Sequence, residues 1–409
     1  MGGGLRRSVV ITGAGTVGSY GCGVQPLARA LDSGMPVLSE IDRSAGYHRD
    51  GGARLAALVA GQDLSAWLSA AAARRMSLPS RFAVAAARMA LEHASGQVQE
   101  PRPTAVVLST AFGPSAFTEK ILRGLQTDGP EATSPFLFTE SVANAPAAQV
   151  AISCAAEGPN ITVTQREAGP FLAVARGAAE VASGRAARAL VGAVDELTPL
   201  AHAILDRFGA LSRAAGPCGE QARPYDRHRN GMVAAEGATV LVLEDEAAAR
   251  ARGASLLARV RASGSAFDPT ASRVGWGQGH VLLGRALRKG LERAGLGPSD
   301  VDRIVSGASG SVAGDRAEGL ALREAWADRP LPVLVAPKGV TGEYGGGFLA
   351  AAVLAVNGGG FGPTAGFQEP DPEIGITPHR GGVLPPAIRV LALALAAGGS
   401  SAWLVLERP

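Results

Sequence analysis

Cysteine is scarce: 409 residues contain three, Cys22, Cys154 and Cys218. Their wide separation fits neither a disulfide framework nor the paired spacing of a metal site, and it points to a reducing cytosol. No run of about 20 apolar residues is present, so a membrane-spanning helix is not expected. The opening MGGGLRRSVVITG lacks the long apolar stretch of a signal peptide, which again favours the cytoplasm. Charge of one sign is also missing. The formal net charge is only +3, too small to suggest a nucleic-acid partner. Charged residues make up 18% and aromatic residues 5%.

What remains is a chain that is 46% hydrophobic and contains 55 glycines, the composition of a large globular α/β protein. Val/Leu/Ile runs alternate with Ala-rich helical patterns. Ser8–Thr12, Ala105–Ser109, Ala189–Gly192 and Thr239–Glu244 read as strands. A helix follows Ser80, which could cap it, with Phe82, Ala86, Met89 and His93 on one face. Another helix spans Pro170–Ser183. The second part repeats the theme. Its strands lie near Val260, Arg303–Val305, Val333–Ala336, Val390–Leu395 and Ala402–Leu406. Its helices lie near Leu282–Ala294, Asp315–Ala327 and Phe348–Val356. This alternation predicts sheets covered by helices, in two similar halves of residues 1–246 and 247–409.

Gly13-Ala14-Gly15-Thr16-Val17-Gly18 matches G-x-G-x-x-G, but further turn residues follow it and no helix opens there. A second strand before the nearest acidic residue, Asp32, is missing too. The motif therefore reads as a tight turn leaving the first strand, and no cofactor or metal is expected.

Several ordered stretches carry a resemblance. They are VVITGAGTVGSYGCGVQPLARAL, SRFAVAAARMALEHA, VANAPAAQVAI with GPNITV, RPYDRHRNGMVAAEGATVLVLED, APKGVTGEYGGG and AAGGSSAWLVLE. In this order and spacing they resemble the β-ketoacyl synthase family. The resemblance implies a thiolase-like fold of five layers, αβαβα, and an obligate dimer.

Members of that family condense acyl groups with a cysteine thiolate at the start of a buried helix and with two histidines. Laid on this chain without gaps, the nucleophile position falls on Glu167, after Arg166. Counting back from Asp315 and Glu318 puts the first histidine position on Gly307. The Lys…Thr-Gly-His motif reads Lys338, Thr341, Gly342, Glu343, so Glu343 takes the second histidine position. The aromatic gating turn reads Leu395-Ala396-Ala397-Gly398-Gly399. No catalytic residue is expected, and an acidic side chain at position 343 would repel a malonyl carboxylate. Arg166 or Lys338 is expected to pair with Glu167. Cys154 reads as a small buried residue.

This loss resembles the chain-length factor, or ketosynthase β-subunit, of type II polyketide synthases. The resemblance implies heterodimerisation with an active ketosynthase α-subunit, service by an acidic acyl carrier protein, and a tunnel for the growing polyketide chain. Chain-length factors of aromatic systems usually carry Gln where this chain has Glu167, so a reducing, polyene-type system is at least as compatible. Tunnel candidates are Phe112, Ser115, Phe117 and Thr118. Interface candidates are Val142, Asn144, Ala145 and Pro146, in an Ala-rich exposed strand and helix around Val142–Ile152. Arg81, Arg227 and Arg229 are candidates for docking the carrier protein, although a solubility role is the simpler expectation for each. The alternative is a malonyl-carrier-protein decarboxylase or acyltransferase with rearranged catalytic residues.

Overall fold

The computed structural model describes residues 7–94, 103–132, 134–214, 219–327 and 329–409. Cys218 lies outside them. The principal strands of the first half are β1 (Val9–Gly18), β2 (Thr104–Ser109), β3 (Asn160–Val163), β4 (Arg188–Asp195) and β5 (Gly237–Asp245). Those of the second are β6 (Ala258–Phe267), β7 (Arg303–Val305), β8 (Val333–Val335), β9 (Arg389–Leu395) and β10 (Ser400–Glu407). A main helix follows each of the first three strands in both halves. These are α1 (Leu78–His93), α2 (Ala145–Ser153) and α3 (Gly169–Ala182), then α4 (His280–Arg293), α5 (Val312–Trp326) and α6 (Gly345–Val356).

The strands lie in the order β8-β7-β9-β10-β6-β1-β5-β4-β2-β3. In each half the third strand takes the edge, followed by the second, fourth, fifth and first. The three outer strands of each half are parallel, and the fifth runs antiparallel to both of its neighbours. The halves meet where β1 pairs β6 at Val10↔Arg259 and Ile11↔Ala258.

Helices α3 and α6 lie between the halves, and each touches strands of both. Phe171 and Phe348 meet edge to face there, with ring centroids 4.9 Å apart. A helix in that place has no wet side, and the sequence GGGFLAAAVLAV of α6 is accordingly apolar all round and almost wholly buried. Helices α1 and α2 cover the outer face of the first half, and α4 and α5 that of the second. The result is the expected αβαβα layering.

Three local expectations need correction. The Gly13–Gly18 motif is not a turn but the body of β1, with a bulge between Ile11 and Gly13. Its glycines are required by a close helix: a Cβ on Gly13 or Gly15 would stand 2.1 Å from the carbonyl oxygen of Ala90 or Ala86 in α1. Ser77, not Ser80, precedes α1; Ser80 lies inside the first turn and its hydroxyl donates to Glu140 at 2.9 Å. No strand forms at Val142, which follows the short helix Pro135–Ser141 and leads into α2. Pro at the second helical position of α2 suits that start.

Candidate functional site

The internal repeat brings corresponding chain segments to one cavity of about 590 Å³. Glu167 stands two residues before the first residue of α3, and Glu343 two before the first residue of α6. Ala111 and Gly307 each follow the end of a second strand by two residues, and Asp195 closes β4. All five line the cavity. It therefore sits at the carboxyl ends of strands and the amino ends of the two central helices, where open α/β sheets commonly place their sites.

The cavity wall carries Glu167, Asp195, Asp315, Glu318 and Glu343 against a single basic residue, Arg166. Among the described residues no cysteine or histidine lines it. Lys338 lies behind the wall, fully buried, with its ammonium 2.7 Å from Glu343 Oε1 and 2.9 Å from Oε2. The same ammonium stands 4.4 Å from the centroid of the Phe348 ring. The expected pairing with Glu167 is thus not formed by Lys338. Arg166 does not form it either, because its guanidinium donates to the Ala397 carbonyl at 3.2 Å. Geometry explains both outcomes. Lys338 opens the short helix Lys338–Thr341, which carries its own chain to Glu343, and Arg166 holds a positive φ of 42° that turns it toward the Ala396–Gly399 turn.

Glu167 is half-buried, and its Oε2 is enclosed with no hydrogen-bond partner. Loss of hydration, reinforced by the Glu343 charge and only partly offset by Lys338 and Arg166, raises its carboxyl to about 7. The other wall carboxylates are hydrogen-bonded. Asp195 accepts from the Thr110 hydroxyl at 3.0 Å and the Ala111 amide at 2.7 Å, and burial still raises it to about 6. Asp315 accepts from the amides of Tyr225, Ser309 and Gly310 and is raised by burial to about 6. Glu318 accepts from the Tyr225 hydroxyl and the Gly307 amide and is raised by burial to about 7. The RPYD stretch, Arg223–Asp226, thus braces the acidic pair of α5, with Tyr225 held at a positive φ of 61°.

Gly307 is hemmed in. A Cβ there would lie 2.9 Å from the Leu393 carbonyl oxygen and 3.1 Å from Glu318 Oε2, so a larger side chain requires the backbone to move. Cys154 ends α2, away from the cavity lining, and burial pushes its thiol up to about 11. At that value it is a protonated thiol.

The remaining sequence candidates divide. Of the tunnel set, Phe112 lines the cavity and is half exposed. Ser115, Phe117 and Thr118 do not line it; they lie on the helix Ser115–Thr127, where Ser115 donates to Glu196 and Thr118 to the carbonyls of Pro114 and Ser141. Of the interface set, Asn144 is exposed and Val142 half-buried. Ala145 and Pro146 are already buried within this chain, because α2 packs on α1. They have no surface left to give a partner. Exposed apolar side chains lie nearby instead: Leu122, Leu125, Phe136, Phe138 and Ile152. Arg229 is not available for docking, since it is buried in an ion pair with Asp371 at 2.6 Å. Arg227 is exposed and pairs with Glu369. Arg81 donates to the Met76 carbonyl.

Sequence reasoning missed the cavity mouth, formed by Ile204, Phe208, Trp276 and Val312. It also missed the wall residue Asp195. Asp195 had a readable signal, an acidic pair closing a hydrophobic strand in ALVGAVDE. The mouth had none, because its residues come from three separate segments.

Fold and cavity define a two-half condensing-enzyme scaffold, and the comparisons give the family. The profile of the β-ketoacyl synthase N-terminal domain matches residues 6–249, and that of the C-terminal domain residues 257–367. The chain belongs to the β-ketoacyl synthase family. It is 33% identical over 420 residues to a polyketide β-ketoacyl synthase 2 of Streptomyces coelicolor, covering 100% of this chain and 96% of that one. Among solved structures, a chain of the ishigamide ketosynthase/chain length factor is 30% identical with a TM-score of 0.87, covering 99% of this chain and 100% of that one. A chain of a type II PKS acyl-carrier protein in complex with its ketosynthase bound to the hexaketide is similar in fold, with a TM-score of 0.88 at 23% identity, covering 99% of this chain and 100% of that one. No helix of the described residues is long and apolar enough to cross a membrane.

Proposed function

We propose that this chain is the non-catalytic, chain-length-factor subunit of a type II polyketide synthase. It pairs with an active β-ketoacyl synthase and shapes the tunnel of the growing chain. The observation that carries the reading is a cavity at the site of condensation chemistry whose wall holds Glu167, Gly307 and Glu343 but no thiol or imidazole. A carboxylate is a poor nucleophile toward a thioester, and Glu343, already bound to Lys338, offers no donor to a developing enolate. Residues 1–246 and 247–409 are read as the family's two halves.

The partner surface is read at the β3 edge. Among the described residues that strand pairs only with β2, and the exposed Leu122, Phe136, Phe138 and Ile152 lie in the segments that precede it in sequence. Edge pairing plus apolar burial is the usual construction of a large obligate interface. Asn144 and Val142 belong to this surface, and Ser115, Phe117 and Thr118 face the shared tunnel from the helix Ser115–Thr127. An acyl carrier protein delivers extender units to the complex in the cytoplasm, and the product is a polyketide or polyene chain.

Co-expression with the ketosynthase partner, followed by size-exclusion and mass analysis, tests the reading. A one-to-one complex is expected, with malonyl carrier protein left unconsumed by this chain alone. A homodimer that ignores the partner, or turnover by the isolated chain, overturns it in favour of a decarboxylase or acyltransferase. In an active complex, Phe112→Ala should lengthen the product detected by mass spectrometry.

A further inference from the structure

Residues 41–54 form a strap between the short paired strands Ser39–Glu40 and Leu55–Ala56. The strap packs on the helix Pro199–Arg207, which carries Ile204 and is followed by Phe208, both at the cavity mouth. Two ties are ordinary. The Ala53 amide donates to Asp206 at 3.0 Å, and Arg207 donates to the Tyr47 carbonyl at 3.3 Å. The Tyr47 hydroxyl reaches a second helix, Ser115–Thr127, which follows the mouth residue Phe112. There it donates to Glu119 at 2.5 Å and accepts from Arg123.

The central tie joins two histidines. His48 Nε2 stands 3.1 Å from His202 Nδ1, with ring centroids 5.2 Å apart. His202 is fully buried, and its Nε2 donates to the Leu55 carbonyl at 3.4 Å. A carbonyl only accepts, so this nitrogen carries the hydrogen and neutral His202 presents a bare Nδ1. His48 therefore donates from Nε2, and its own Nδ1 is bare. That nitrogen is enclosed with no hydrogen-bond partner. A further proton has no favourable place. On His202 Nδ1 it would face the N–H of His48. On His48 Nδ1 it would make an enclosed, charged donor with no acceptor.

The charges around the pair leave this conflict in place. Asp42 and Arg43 face it from the strap, and Asp206, itself bound to Arg213, faces it from the helix. Glu220 accepts from the amides of Arg54 and Leu55, and Glu119, Arg123 and Arg207 hold Tyr47. Burial, the largest influence, and the Arg43 charge hold both imidazoles below their ordinary value, against the opposing pull of Asp206.

We propose that the His48–His202 pair is an acid-sensitive latch of the cavity mouth, which holds the strap on the helix Pro199–Arg207 while both rings are neutral and lets go when either takes a proton. The closed state binds that proton more weakly than the released strap does. The latch is therefore closed above the ordinary histidine range and opens as pH falls below about 6.5. Release frees Ile204 and Phe208, so acid loosens the mouth. This inference does not depend on pairing with a ketosynthase.

The test is hydrogen exchange of the full chain, alone or in whatever complex yields it soluble, at pH 7.5 and 5.5, with rates normalised to the intrinsic rate at each pH. Protection of residues 41–54 and 199–208 should fall about tenfold for one released histidine and up to about a hundredfold for both, while α6 stays unchanged. The double variant His48→Gln/His202→Gln has no imidazole to titrate and should respond by less than about twofold. His48→Gln alone keeps an amide donor for His202 and disturbs the buried position less; it should respond less than wild type. Unchanged protection in wild type, an equal loss throughout the chain, or a full wild-type response in either variant overturns the proposal. The last outcome would assign the response to Glu220, whose carboxyl burial raises above its ordinary value.

Discussion

At the residue scale the site is dominated by what burial does to carboxyls. Glu167, Asp195, Asp315 and Glu318 are all raised, burial being the largest cause for each. A carboxyl raised in the folded state binds its proton more tightly there than in the unfolded chain. Its contribution is harmless below the ordinary carboxyl range and becomes unfavourable as pH climbs toward the folded value. For Glu167 the window runs from the ordinary range up to about 7. Glu167→Gln should therefore be more stable than wild type at pH 8 by on the order of 1–3 kcal/mol, with the gap closing by pH 4.5. Urea denaturation at both pH values measures this. The Lys338–Glu343 pair should behave oppositely. Lys338→Met strands a buried carboxylate and should cost about 3–5 kcal/mol, read from the shift of the urea midpoint at pH 7.

At the scale of elements, β1 shows how tertiary packing reassigns a local signal. GAGTVG has the punctuation of a turn, and a reader of the sequence assigns one. The structure runs a strand through it, because α1 crosses so closely that only hydrogen fits at Gly13 and Gly15. Gly15→Ala places a methyl against the Ala86 carbonyl and should destabilise the fold by about 3 kcal/mol or more. Reduced soluble yield and a lowered melting temperature, set beside an exposed control such as Gly219→Ala, check it. Many other elements were legible because their patterns agree with their burial, but the strand Asn160–Val163 and the helix Ser115–Thr127 were not read. The Arg303–Val305 strand has the bounds read from sequence, and the helices on Pro170–Ser183 and Phe348–Val356 differ by a residue or a turn at their ends. Helix ends shift readily because the first amides have no intrahelical partner.

At the scale of the molecule, two repeats of one β-α-β-α-β-α-β-β unit press their third helices together and focus equivalent positions on a shared cavity. One consequence is that the two central helices do not depend on the cavity wall for their packing: α3 and α6 meet through Phe171, Phe348 and the surrounding aliphatic core. The other consequence lies outside the core. The exposed apolar side chains between Leu122 and Ile152 need a cover. Phe138, 62% exposed, can be replaced by Asp with little effect on the chain's own packing. Phe138→Asp should leave the melting temperature of the isolated chain within about 2 °C. It should weaken co-purification of the ketosynthase at least about tenfold if this surface is the interface.

The sequence by itself determined the family, the alternation of strands and helices, and the identities at positions 167, 307 and 343. Those depend on motif order and on periodicity, which are local properties of the chain. Tertiary structure alone decided which charges meet. Lys338 chose Glu343 over Glu167, Arg166 turned to a backbone carbonyl, Arg229 went inside to Asp371, and Ala145 and Pro146 were used up by α1. Ion pairs and burial depend on distances between segments far apart in sequence, and those distances exist only once the two halves have closed on each other.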